Sequence, residues 1–192
     1  FKKVIKEEGA AAIYVTHDLA VVAQVADHIV VLYNGEIKEA GPVETIINKS
    51  EHPYTKRLMG AIKPLPKAGL GEASNHAHMR DVPALEAKSV DAGYGRDSEG
   101  KPKTMVLRDV NVVIERGKTV GIIGESGCGK STLARVFAGL LPPSDGHLKL
   151  DGESIAPDLR NRSREELRKV QFVYQMADTA LNPRQRIKEI IG

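Results

Sequence analysis

Apolar residues recur in this chain at two spacings, and the switches between them lay out its elements. Residues 1–8 read as the tail of an amphipathic helix that stops at Gly9. Residues 10–16 are an apolar run that predicts a strand ending at His17-Asp18, with Asp18 placed to cap a helix over 19–26. The run HIVVLY at 28–33, the Asn34-Gly35 pair and residues 36–40 predict a tight hairpin, because Asn-Gly accepts the positive φ that a two-residue turn requires. Pro42 suits the first turn of a helix over 43–49, and His52-Pro53-Tyr54 leads into a short helix reaching about residue 62.

Residues 63–81 break this pattern. Prolines and glycines without sustained periodicity are the composition of a linker. His76 and His78 lie in it without further nearby ligands, so solvated side chains are expected there. A new β-rich unit follows. Residues 84–90 alternate in part, 97–103 are a polar turn, and 104–107 and 110–114 read as two strands. Residues 119–123 (TVGII) predict a buried strand. Residues 131–141 carry apolar positions at helical spacing and stop before Pro142-Pro143. Residues 147–150 with Asp151-Gly152 suggest another hairpin. Ser163 and Glu166 form a capping-box pattern for a helix over 163–169, and 170–174 read as a strand ending at Gln175.

Composition narrows the class without choosing a function. The chain has 192 residues, 41% hydrophobic and 28% charged, the balance of a soluble globular protein. A formal charge of +3 with no dense Lys/Arg block is too mild to argue for nucleic acid, and none is expected as a partner. No apolar run approaches membrane-spanning length, and no secretory leader is recognisable. The lone Cys128 allows neither a disulfide framework nor a cysteine-based metal cluster, which makes a reducing compartment the expected setting.

The candidate chemistry lies at Gly124-Glu125-Ser126-Gly127-Cys128-Gly129-Lys130-Ser131, which fits G-x-x-x-x-G-K-[ST] at every fixed position between a predicted strand and a predicted helix. Glycines let successive N–H groups turn inward toward phosphate oxygens, and the helix start adds the positive end of its dipole. Lys130 is expected to reach the β- and γ-phosphates and Ser131 to ligate Mg²⁺, so the motif predicts binding of a nucleoside triphosphate with Mg²⁺. Cys128 occupies a variable loop position and is read as a small filler.

Taken together, the motifs carry a family likeness. Residues 82–192, with GESGCGKSTLARVFAGLLPPSDG and VYQ…ALNPR, resemble the first part of an ATP-binding cassette (ABC) domain of the oligopeptide, dipeptide and glutathione importer branch. Residues 1–62 resemble the last part of such a domain. Tyr14-Val15-Thr16-His17-Asp18 matches the histidine switch, 31–37 the strand pair after it, and Glu51-His52-Pro53-Tyr54-Thr55 the branch's tail. In one cassette the phosphate loop precedes the switch; here the switch comes first. The resemblance therefore implies the junction of two fused cassettes. The last part of one (1–62) is followed by a linker (63–81) and the first part of the next (82–192). The fold class implied is α/β, a phosphate-loop NTPase with an antiparallel β subdomain.

Further roles follow from the resemblance alone, which also implies ATP as the nucleotide cofactor. The amides from Gly127 to Ser131, Gly129 and Cys128 included, cradle phosphates, and Thr132 lies near the α-phosphate. Tyr94, in Gly93-Tyr94-Gly95, would stack on adenine, a contact contributing about 1–3 kcal/mol; an ordinary turn tyrosine is the alternative. His17 would contact a γ-phosphate, or simply cap a turn. Gln175 would sense Mg²⁺ and the attacking water, although Met176-Ala177 replace the usual Asp-Pro after it. In an intact double cassette His17 and Lys130 would serve different ATP molecules. No Asp-Glu pair ends an apolar strand and no Leu-Ser-Gly-Gly signature occurs. The chain as written is therefore expected to bind nucleotide weakly and not to turn it over.

Three functions compete at this point. The first is the ATPase of an importer of peptides or similar solutes, peripheral at the cytoplasmic face of the inner or plasma membrane. Its implied partners are transmembrane permease subunits, a solute-binding protein and a second cassette or homodimer. The second is a nucleotide-binding fragment without turnover. The third is a soluble cassette ATPase acting on nucleic acid or ribosomes, which a basic face or cysteine set would favour and neither is evident. The shared apolar pattern also allows 11–16 and 29–32 to pair beside 120–123, within one chain or between two copies.

Overall fold

The computed structural model describes residues 2–60 and 82–174. Its organising feature is a four-stranded sheet that draws on both sides of residues 61–81. Strand β6 (Thr119–Ile123) is buried at all five positions and lies between β1 (Ala12–Val15) and β2 (His28–Tyr33), parallel to both. Ala12 pairs with Thr119 and Val15 with Ile122; Ile29 pairs with Gly121 and Val31 with Ile123. Strand β3 (Glu36–Pro42) closes the order β1-β6-β2-β3 as the antiparallel arm of a hairpin with β2. The pairing that the shared apolar pattern allowed is thus present within one chain.

The predicted turn chemistry sets this sheet's local geometry. Asn34 and Gly35 carry φ of +50° and +80°, the double positive values of the tight hairpin. Helix α1 (Lys2–Glu7) ends before Gly9, whose φ is +60°. Asp18 caps α2 (Leu19–Val25), accepting from the Ala20 and Val21 amides. Helices α3 (Val43–Lys49) and α4 (Pro53–Gly60) follow β3.

Alternation along β2 serves two cores. Val30 and Leu32 enter a large cluster, while Ile29 and Val31 enter a second one with Val22, Ala26, Ile46 and Tyr54. Strand β6 divides likewise, with Val120 and Ile122 to the first and Ile123 to the second. At Gly121 the sheet admits α2 so closely that a Cβ would stand 2.6 Å from Val22 Cγ1.

The large cluster is completed by a second, antiparallel sheet of order β5-β4-β7-β8. It comprises β4 (Leu85–Tyr94), β5 (Thr104–Ile114), β7 (Asp145–Leu150) and β8 (Glu153–Ser154). Two strands were expected where β5 runs continuously. The interruption at Arg108-Asp109 is absorbed as an irregularity, with Asp109 at φ +45° and its amide donating to Asp91 Oδ1.

Helix α5 (Lys130–Phe137) buries Leu133, Val136 and Phe137 against the large cluster. It ends earlier than its apolar spacing predicts. Gly139, at φ +73°, donates to Val136 O and Leu140 donates to Arg135 O, the two bonds of a Schellman stop, so Pro142-Pro143 is not the terminator. The buried Arg162 donates to the Phe137 and Ala156 carbonyls at 2.9 Å each and places its charge at the negative end of α5. Helix α6 (Arg164–Lys169) begins with the expected capping box between Ser163 and Glu166. Residues 170–174, expected as a strand, have no strand structure, and Val173 is 90% exposed. A strand needs a neighbour to satisfy its backbone, and 170–174 pair with none of the described strands.

Candidate functional site

The parallel strands lead to one end of the first sheet, where β6 runs into the loop 124–129 and then α5. Gly124 turns the chain out of the strand at φ +153°, packed so tightly that a Cβ would collide with the Leu32 carbonyl oxygen and approach Cys128 Sγ to 2.7 Å. Gly127 and Gly129 hold φ of +81° and +108°, conformations that favour glycine. Cys128 is buried as predicted for a filler, and its amide donates to Glu125 O at 3.3 Å. Glu125, Ser126 and Gly127 are exposed at the rim.

Lys130 opens α5, and its ammonium turns back over the loop. Nζ donates to Gly124 O at 2.9 Å and Glu125 O at 2.8 Å, and lies 3.8 Å from Cys128 Sγ. A cation so placed, beside the N–H groups that a helix leaves unpaired in its first turn, makes the loop a cradle for an anion. Ser131 is exposed in that turn, so its hydroxyl is open to solvent. The donor chemistry fits Mg²⁺ held mainly through phosphates and water, with one protein hydroxyl. Among the described residues no cluster of three His, Cys, Asp or Glu side chains could hold a metal by itself.

Another predicted residue is drawn to the same helix. Tyr94, at the end of β4, places its hydroxyl 3.2 Å from Thr132 Oγ1, and Arg135 Nη1 donates to it at 3.1 Å. Thr132 is buried, so its side chain engages Tyr94 and its backbone lies in the first turn. His17 is exposed just beyond β1. Val15 pairs with Ile122 and the Thr16 amide donates to Ile122 O at 3.2 Å, which sets His17 at the loop end of the sheet. Gln175 lies outside the described residues, as do His76 and His78.

Sequence reasoning missed the grip of the N-terminal segment on the loop. The Gly35 amide donates to Cys128 O at 3.0 Å, and the Glu125 amide donates to Tyr54 Oη at 3.0 Å. Tyr54 is 4% exposed and its ring lies 4.3 Å from that of Tyr33. Burial pushes the Tyr54 phenol above its ordinary pKa, so it remains a neutral hydroxyl. The signal was the His52-Pro53-Tyr54-Thr55 quartet, which marks the segment but not its target.

Residues 107–190 match the family model described as ABC transporter. The chain is 29% identical to the glutathione import ATP-binding protein GsiA of Escherichia coli (strain K12) over an alignment of 219 residues, covering 97% of this chain and 34% of that protein. The protein of the same name from Shigella dysenteriae serotype 1 (strain Sd197) gives the same figures. The chain thus spans about a third of the length of the curated relatives it matches. Among solved structures, cbiO1 from Clostridium perfringens, part of the ABC transporter complex cbiONQ, is 34% identical, with 46% of this chain and 31% of that one covered and a TM-score of 0.36. The expected α/β class is the one found, with a glycine loop between a buried parallel strand and a helix and an antiparallel sheet beside it.

Proposed function

From the premise that this chain is similar to the ATP-binding proteins of the peptide and glutathione importer branch, with residues 107–190 carrying the ABC transporter pattern, we propose that it binds MgATP at 124–132 as part of an importer's energy-coupling ATPase. The observation that carries this reading is the loop itself, with three glycines at positive φ, the ammonium of Lys130 folded over it and a helix starting at its end. The Gly127–Ser131 amides receive the phosphates, Lys130 exchanges its two carbonyl partners for β- and γ-oxygens, and Tyr94 meets the base beside Thr132. Bound Mg²⁺ would neutralise phosphate charge; Ser131 is the described residue that would hold it, with Gln175 as the second candidate. His17 is assigned to the γ-phosphate of a different ATP molecule, that of the first cassette.

In this reading residues 1–62 and 82–192 come from successive cassettes joined by 63–81. A single alignment that carries both parts in this order over 97% of the chain supports it. The solute moved is a peptide, glutathione or a similar small molecule. The partners are transmembrane permease subunits, a solute-binding protein acting through them, and a second cassette or a second copy. The site of work is the cytoplasmic face of the membrane. Attachment there is peripheral in this reading; no helix of the described residues is long and apolar enough to cross a membrane. Turnover is assigned to none of the residues given, since no Asp-Glu pair follows an apolar strand among them.

Calorimetric titration of MgATP into the 192-residue chain and its Lys130→Ala variant tests the site. Removing a charge-assisted contact to phosphate is expected to weaken binding by about ten-fold or more. Equal affinity in both proteins would overturn the assignment.

A further inference from the structure

The peptide unit between Gly124 and Glu125 is held from both sides. Its carbonyl, Gly124 O, accepts from Lys130 Nζ at 2.9 Å, and its amide, Glu125 N, donates to Tyr54 Oη at 3.0 Å. One contact comes from the residue that grips phosphate, the other from a helix 71 positions earlier in the chain. A peptide plane pinned at both ends cannot rotate without breaking one of the two bonds, so the position of Tyr54 fixes the direction in which the lysine's resting acceptor points.

Tyr54 is itself firmly placed. Its ring packs on Tyr33, the last residue of β2, within the second core, and its amide donates to His52 Nδ1 at 3.1 Å. The start of α4 is moored by Glu39, whose carboxylate accepts from the Glu51 amide at 2.8 Å and the His52 amide at 3.2 Å. The tyrosine hydroxyl thus transmits the placement of β2, β3 and α4 to the loop. Its bond to Glu125 N also aims that amide at α4, leaving the cradle to the amides nearer the helix.

We infer that Tyr54 is a positioning residue for the phosphate loop, setting the Gly124–Glu125 peptide and through it the resting place of Lys130. The inference rests on the proposed ATP site and deepens it. It makes the N-terminal segment a determinant of how well the loop, which lies beyond residues 61–81, takes up nucleotide. Displacement of α4 would loosen the loop without any change in the loop's own sequence.

The test compares Tyr54→Phe, Lys130→Ala and the unaltered chain by MgATP and MgADP titration, each with its urea unfolding midpoint. Tyr54→Phe keeps the ring against Tyr33 and removes only the hydroxyl. Both nucleotides are expected to bind it about five-fold more weakly, while the midpoint falls by no more than one neutral hydrogen bond contributes. Unaltered nucleotide affinity in Tyr54→Phe, with the expected loss in Lys130→Ala, would sink the positioning role and leave the ATP site standing. Wild-type affinity in Lys130→Ala would remove the site and this inference with it. A midpoint falling far beyond one hydrogen bond's contribution would make Tyr54 merely structural and overturn the proposal. Should Tyr54→Phe not fold, amide exchange in the unaltered chain decides. Glu125 N–H exchanging far more slowly than Ser126 and Gly127 supports the bond, and equal rates contradict it.

Discussion

Gly124 shows how much a single position in this loop is asked to do. It follows a buried strand, turns at φ +153°, and lends its carbonyl to Lys130, with the Leu32 carbonyl and Cys128 Sγ filling the space a Cβ would need. Gly124→Ala adds a Cβ that has no space, in a backbone conformation that side chains avoid. It is expected to destabilise the chain by about 3 kcal/mol or more and to abolish MgATP binding, read by urea unfolding and titration. Near-wild-type values for both would mean that the loop relaxes easily. Motif letters exposed Gly124, Gly129 and Lys130, because backbone conformation or charge requires each at that place, and Ser131 by its hydroxyl; Gly127 fills a variable position of the pattern. Tyr54 and Gly35 stayed hidden, since they act through contacts far away in sequence that no local pattern records.

Elements were legible where their ends are chemical and obscure where their limits are tertiary. Asp18 capping α2, Asn34-Gly35 turning the β2–β3 hairpin and Ser163 with Glu166 opening α6 all stand as read. The C-terminus of α5 was misplaced because apolar spacing continues past Gly139, while the left-handed glycine stops the helix. Residues 170–174 have strand composition but no described partner, and composition alone does not make a ladder. Helix α4 owes its seat to Glu39. Burial opposes that carboxylate's ionisation, yet the Glu51 and His52 amides outweigh it and hold its pKa below the usual range. Because the folded value lies below the free one, the stability that Glu39 contributes is complete above the ordinary carboxylate range. It is lost as pH falls through the depressed value. Thermal midpoints measured from about pH 6 down to about pH 3 should therefore fall more steeply in the unaltered chain than in Glu39→Gln. Parallel curves would exclude Glu39 as a source of acid sensitivity.

At the scale of the molecule, two segments that the resemblance assigns to successive cassettes build one sheet. Strands β1 and β2 flank β6, and Asp27 stitches the joint, its carboxylate accepting from the Thr119 amide at 2.7 Å and its own amide donating to Thr119 O at 2.8 Å. The pairing was legible because AIYV, IVVL and TVGII share one buried-strand pattern; its register was not, since that depends on where Asp27 and Gly121 meet their neighbours. This sheet brings together the loop, its lysine and the tyrosine that steadies it. Hydrogen exchange of the whole chain with and without MgATP tests that claim most directly. The account predicts that the Ile13–Thr16 amides are as protected as β6 before nucleotide is added, and that MgATP slows residues 124–132 and Gly35 together. Coil-like exchange at 13–16 beside a protected β6, or no slowing at 124–132, would contradict it.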